Sequence, residues 1–203
     1  MMNEIIEYLD YLIPNPRCEL NYSKDYELLI ATMLSAQTTD KKVNSVTSVL
    51  FNRYPTLNDL ACAELNDIIN IIRPIGTFNK KAKNVILIAQ KLLDVGGFVP
   101  NDRIFLESLP GVGRKTTNVV LSNIYNEKLI AVDTHVARVS VRLGIADASD
   151  DVLVIEKKLN DFFPKESLGR LHHQLVLFGR YYCKSKNPSC FECRLKKRCC
   201  LKK

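Results

Sequence analysis

No stretch of this chain is apolar for long enough to cross a bilayer. The longest candidates, such as residues 84–93, are interrupted by Gln and Lys and fall short of the roughly 20 residues a spanning helix needs. A secretion signal is lacking too, because Glu4, Glu7 and Asp10 stand where a basic stretch and an apolar core would be required. Both absences predict an intracellular, cytoplasmic protein. Histidine is scarce, with three in 203 residues, and His135, His172 and His173 show no metal-ligand spacing, so they read as structural or surface residues. No internal repeat and no low-complexity segment interrupts the chain. Strand-like sequence is confined to residues 129–132, too short and solitary for a sheet, which excludes the β classes.

What is there is helical. Hydrophobic residues make up 46% of the chain, ample for a buried core. Leu65, Ile68, Ile69 and Ile72 recur at i, i+3, i+4 and i+7 and so share one helical face. Val43, Val46 and Leu50 do the same, as do Ile5, Leu9 and Leu12 before Pro14. Further helical stretches cover residues 27–36, 84–93, 116–125, 151–163 and 167–179. Between the stretches lie the breakers Pro55, Pro74 with Gly76, Gly96-Gly97 with Pro100, Pro110 with Gly111 and Gly113, and Pro164. The expectation is an all-α fold of nine or ten helices.

The formal charge is +7, from 29 Lys plus Arg against 22 Asp plus Glu, which favours a polyanionic partner. The excess is concentrated at the end of the chain, where Lys184 to Lys203 holds eight basic residues and one acid, Glu192. Five of the seven cysteines lie in the same region, while Cys18 and Cys62 stand alone and read as small buried hydrophobes. In a reducing compartment clustered cysteines point to metal or catalysis rather than disulfides. Cys183-x6-Cys190-x2-Cys193-x5-Cys199 gathers four thiols in seventeen residues, a soft all-sulfur set suited to zinc or to a [4Fe–4S] cluster. Spacing alone does not separate the two. Cys200 is either a substitute ligand or a spare thiol.

Two other features carry chemistry. In Leu109-Pro-Gly-Val-Gly-Arg-Lys115 a short helix, 102–108, meets a longer one across two glycines. The glycines let the backbone turn tightly and bare its N–H groups, so that Gly111 and Gly113 can receive a phosphate at the start of the second helix. The plainer reading is an ordinary turn between helices. Lys115 then lies just inside a helix start, where positive dipole charge disfavours its ammonium form and so suits a nucleophilic amine; most single lysines are simply solvated. Asp133, in Val132-Asp-Thr-His135, reads as the N-cap of the next helix. A cap also holds a carboxylate ionised, ready to stabilise positive charge on a sugar.

The hairpin, the Val132-Asp133-Thr134-His135 segment and the x6, x2, x5 cysteine spacing stand in the order found in endonuclease III. The chain is similar to that family of iron–sulfur helix-hairpin-helix glycosylases over essentially its whole length, including Leu34-Ser-Ala-Gln37, Asp40 and Ile75-Gly76 to Ala82. The resemblance implies two helical domains flanking a DNA-binding cleft: residues 22–127 as a six-helix barrel with the hairpin, and residues 1–21 with 128–203 as the cluster domain. It implies Lys115 as catalytic lysine, Asp133 as catalytic aspartate, and Cys183, Cys190, Cys193 and Cys199 as ligands of a [4Fe–4S] cluster. Gln37 matches a residue that enters the DNA stack, and Lys184 and Lys186 fall in a basic loop suited to phosphates. The expected activity is base excision repair on double-stranded DNA by a monomer near the nucleoid, with removal of oxidised pyrimidines and β-elimination at abasic sites through a lysine Schiff base. Thr77 departs from the pattern, since the family usually places a larger apolar wedge there; extrusion then falls more to Gln37 or Phe78. A related adenine glycosylase is disfavoured by Lys115, which that family lacks, and by the lack of sequence for a further domain after Lys203. A mismatch-specific glycosylase of the same fold and a non-catalytic DNA-binding protein remain as alternatives, the latter disfavoured by the pairing of Lys115 with Asp133.

Overall fold

The computed structural model describes residues 1–201. Among them are eleven α-helices and no strand. None of the helices is long and apolar enough to cross a membrane. The chain divides into two compact units, one of Glu19–Tyr125 and one of Met1–Cys18 with Asn126–Lys203.

The first unit holds α2 (Asp25–Leu34), α3 (Asp40–Arg53), α4 (Leu57–Ala61), α5 (Leu65–Ile72), α6 (Phe78–Asp94), α7 (Arg103–Ser108) and α8 (Arg114–Tyr125). Every residue of α2 from Tyr26 to Leu34 is buried. A helix that is apolar all round belongs inside a core, and α2 packs on α3, α6 and α8. Its start is tied by Glu27, whose Oε2 accepts from Ser23 N at 2.7 Å and Ser23 Oγ at 2.9 Å. Leu28, Leu29, Ile30 and Leu34 are wholly enclosed, each worth about 1.5–3 kcal/mol of burial. Ile68 and Ile72 turn the periodic face of α5 inward. The helix α4 has only five residues, too few for a period to show in sequence. It forms because Thr56 and Asp59 cap it reciprocally, Asp59 N donating to Thr56 Oγ1 at 3.1 Å and Thr56 N to Asp59 Oδ2 at 2.9 Å.

The second unit holds α1 (Met2–Leu12), α9 (Thr134–Arg142), α10 (Val152–Phe162) and α11 (Leu168–Leu177). Ile5 and Leu9 of α1 join Val136, Val139, Leu159, Leu171 and Leu175 in one core. Residues Ile130 to Val132, strand-like in sequence, are buried but lie in no helix or strand, and Ala131 N donates to His172 Nδ1 at 3.3 Å. Asp10 accepts hydrogen bonds from Arg170 and from Gln174 Nε2, which binds α1 to α11. After α11 the chain continues as one π turn, Phe178–Tyr182. Gly179 is required there, because a Cβ would lie 2.9 Å from His135 Cβ and 3.1 Å from its carbonyl oxygen. This close approach delivers the chain to its cysteine-rich end.

Candidate active site and cysteine cavity

The hairpin between α7 and α8 is a tight turn in which Val112 N donates to Leu109 O at 3.1 Å. Pro110 occupies the second position and Gly111 the third, with φ +80°, the left-handed value that a type II turn demands. Gly111 has a second reason to lack a side chain, since its Cβ would fall 2.4 Å from Asn84 Nδ2. Gly113 differs. It has no positive φ and nothing lies within 4 Å of where its Cβ would be, so only one of the two glycines is demanded by the turn. What Gly113 leaves bare is backbone facing open space at the start of α8. Lys115 is the second residue of α8 and is exposed.

Asp133 is the N-cap of α9, and its Oδ1 accepts from His135 N at 2.9 Å and Val136 N at 2.8 Å. Two backbone donors thus fix the carboxylate, which is partly exposed. Lys115 belongs to the first unit and Asp133 to the second.

Gln37 lies in the loop after α2 with φ +57°, and Thr77 precedes α6 with φ +54°. Both are exposed. A left-handed backbone costs an ordinary residue about 1–2 kcal/mol, and a β-branched threonine is a marked outlier there. Phe78 is half-buried, with the Arg73 guanidinium 5.9 Å from its ring centroid, which leaves Gln37 and Thr77 as the presented side chains.

Cys183, Cys190, Cys193 and Cys199 line one cavity of about 440 Å³, together with Tyr8 and Phe178. Burial, followed by the neighbouring sulfurs, pushes the thiols of Cys193 and Cys199 above the ordinary value. Among the described residues no three His, Cys, Asp or Glu side chains converge on one ion. Four soft sulfur donors lining one cavity are the chemistry that a zinc ion or an iron–sulfur group takes. Cys200 is exposed and lies outside the lining; Cys62 is exposed and Cys18 half-buried, so neither is the buried hydrophobe expected of it.

The spacing of cysteines does not reveal what holds the loop after Cys183. Arg142 donates through Nη1 to the carbonyl oxygens of Cys183 at 3.2 Å and Lys184 at 2.7 Å and to Cys183 Sγ at 3.3 Å, and through Nη2 to Ser185 O at 3.3 Å. Arg138, one turn earlier, donates to Cys183 O at 3.2 Å and Gly179 O at 2.7 Å. Burial and the charge of Arg142 push the pKa of Arg138 down. The only sequence signal for this clamp is a pair of arginines four apart on α9. Lys184 and Lys186 project from the loop it holds and are exposed.

The hairpin and the helical fold around it define a class, the HhH-GPD superfamily of base excision DNA repair proteins, whose family model matches residues 30–165. Endonuclease III of Bacillus subtilis (strain 168) is 47% identical over 189 residues, covering 93% of this chain and 86% of that protein. Endonuclease III of Escherichia coli (strain K12) is 44% identical over 97% of this chain and 93% of its own length. A solved trapped endonuclease III–DNA covalent intermediate superposes with a TM-score of 0.92 at 44% identity, over 98% of this chain and 95% of that one. The chain belongs to the endonuclease III family. Membership bears out the all-α helix-hairpin-helix fold and the expectation of a base excision repair enzyme that is both DNA glycosylase and abasic-site lyase. A thermostable thymine-DNA glycosylase, with a TM-score of 0.86 at 22% identity, shares the fold alone.

Proposed function

We propose that the protein removes oxidised pyrimidines from double-stranded DNA and nicks the abasic site that results, with Lys115 as nucleophile and Asp133 as its charge-stabilising partner. The observation that carries this reading is an exposed lysine one residue inside the helix that a Pro-Gly-x-Gly hairpin opens, in a chain of this family. The damaged nucleotide is turned out of the duplex, which a weakly stacked base resists least. The hairpin backbone at Gly111 and Gly113 and the lysines at 184 and 186 grip phosphates and set register without reading sequence. Gln37 enters the gap left in the stack. The Lys115 amine attacks C1′, the C1′–N bond breaks, and the base leaves with its bonding electrons and takes up a proton. Asp133, oriented by its two backbone donors, stabilises positive charge on the sugar and assists the proton transfers. Ring opening gives an iminium at C1′. Loss of a C2′ proton then expels the 3′ phosphate by β-elimination, and water releases the lysine.

Cys183, Cys190, Cys193 and Cys199 would hold a [4Fe–4S] cluster, whose iron supplies the positive charge that lets four thiolates pack together. The proposed setting is the cytoplasm, at the nucleoid, with the protein acting as a monomer. The mismatch-specific alternative has only a likeness of fold behind it.

Borohydride trapping on abasic duplex tests the reading. Wild-type protein is expected to form a covalent adduct. Lys115→Gln is expected to lose both adduct and excision while still binding DNA, because the hairpin backbone is untouched. Trapping or excision by Lys115→Gln at the wild-type level overturns the assignment.

A further inference from the structure

The first unit buries a lysine that the chemistry above does not use. Lys81, in the first turn of α6, is 5% exposed. Its ammonium donates to Leu34 O at 2.9 Å, Ala36 O at 2.7 Å and Thr38 Oγ1 at 3.4 Å. No carboxylate approaches it among the described residues, and burial alone pushes its pKa down. An unpaired buried ammonium is unfavourable unless its protons are satisfied, and a leucine or methionine would fill the same space without that penalty. What the ammonium gains is position. Leu34 ends α2, where helix carbonyls lack partners and the dipole is negative. The three acceptors bracket Gln37, two before it in sequence and one after.

Gln37 is exposed and left-handed, with φ +57°. That conformation is not one its residue type favours, so it requires an outside constraint. The three bonds of the Lys81 ammonium supply one, from both sides of Gln37.

We propose that Lys81 is a positioning residue, whose ammonium, through its bonds to the loop of Gln37, presents that side chain for insertion into the DNA stack. The proposal rests on the glycosylase and lyase reading, because insertion matters only where a nucleotide is extruded. Lys81 touches neither sugar nor base and governs extrusion rather than the chemistry at C1′.

The test compares two substrates under single-turnover conditions: a duplex carrying an oxidised pyrimidine, and a single-stranded oligonucleotide with an abasic site, where no stack has to be filled. Lys81→Met keeps the aliphatic stem and removes the ammonium. It is expected to slow duplex excision by about 10- to 100-fold, the loss that follows an ångström-scale misplacement, and to leave strand cleavage of the single-stranded substrate at the wild-type rate. Gln37→Ala is expected to slow duplex excision likewise, and the double variant to be no slower on duplex than the slower single one, as residues acting through one step are not additive. If Lys81→Met does not fold, Lys81→Arg, which keeps charge and donors in a forked geometry, is expected to show a smaller duplex defect with the single-strand rate unchanged. Equal losses on both substrates in a folded variant, or additive losses in the double variant, overturn the proposal. A wild-type duplex rate for Gln37→Ala also overturns it while the glycosylase and lyase reading stands. Wild-type protein that traps on neither substrate defeats that reading and the proposal with it.

Discussion

Cys199 and Cys200 are adjacent in sequence and differ in what surrounds them. Cys199 lines the cavity, and its sulfur accepts from Leu201 N at 3.4 Å. Cys200 is exposed, and its backbone N–H donates to Arg142 O at 2.8 Å. Cys199→Ser is therefore expected to lose iron and the brown colour of a cluster, while Cys200→Ser keeps about four irons per chain. Iron analysis and visible absorbance of anaerobically purified protein decide it, and loss of iron from Cys200→Ser alone would exchange the two roles. The sequence left Cys200 open because adjacent cysteines satisfy the same spacing almost equally well; burial separates them. The capping role of Asp133 was readable, since a small acidic residue before Thr-His-Val marks a helix start. Lys81 was not, being one of 29 basic residues with nothing in its neighbourhood to signal that its ammonium turns inward.

At the scale of elements the hairpin gives a clean contrast between its two glycines. Gly111→Ala meets a left-handed φ of +80° and a contact of 2.4 Å with Asn84. It is expected to destabilise the fold by about 1–3 kcal/mol, seen as a lowered melting temperature. Gly113→Ala meets nothing in the protein, so its melting temperature is expected to match wild type while duplex affinity falls, the added methyl standing where a phosphate approaches the helix start. Unchanged affinity in that variant would remove Gly113 from the DNA contact. Both glycines looked alike in the motif, because a sequence shows small residues without showing which of them needs an unusual backbone. Helix content was legible wherever an apolar face repeats, as in α5. It failed at α4, which a capping box makes from five residues, and at the π turn after α11, which follows from the close packing of Gly179 on α9.

Charge belongs to the whole molecule. The excess of +7 is concentrated near the cysteines, and Lys184 and Lys186 stand on the loop that follows Cys183. Arg142 holds that loop through the carbonyl oxygens of Cys183, Lys184 and Ser185, so replacing the two lysine side chains leaves its shape intact. A rigid basic loop adds affinity for phosphate without adding sequence preference. Lys184→Ala combined with Lys186→Ala is expected to weaken binding to damaged and undamaged duplex alike. If each lysine neutralises one phosphate, the slope of log K against log salt falls in magnitude by about 0.9 per lost contact, or nearly 2 for the pair. Iron content measured on the same preparation separates a lost contact from a lost cluster, since collapse of the cavity would also weaken binding. A salt slope equal to wild type, with iron retained, would turn both lysines toward solvent in the complex and leave the cysteine site a purely structural role.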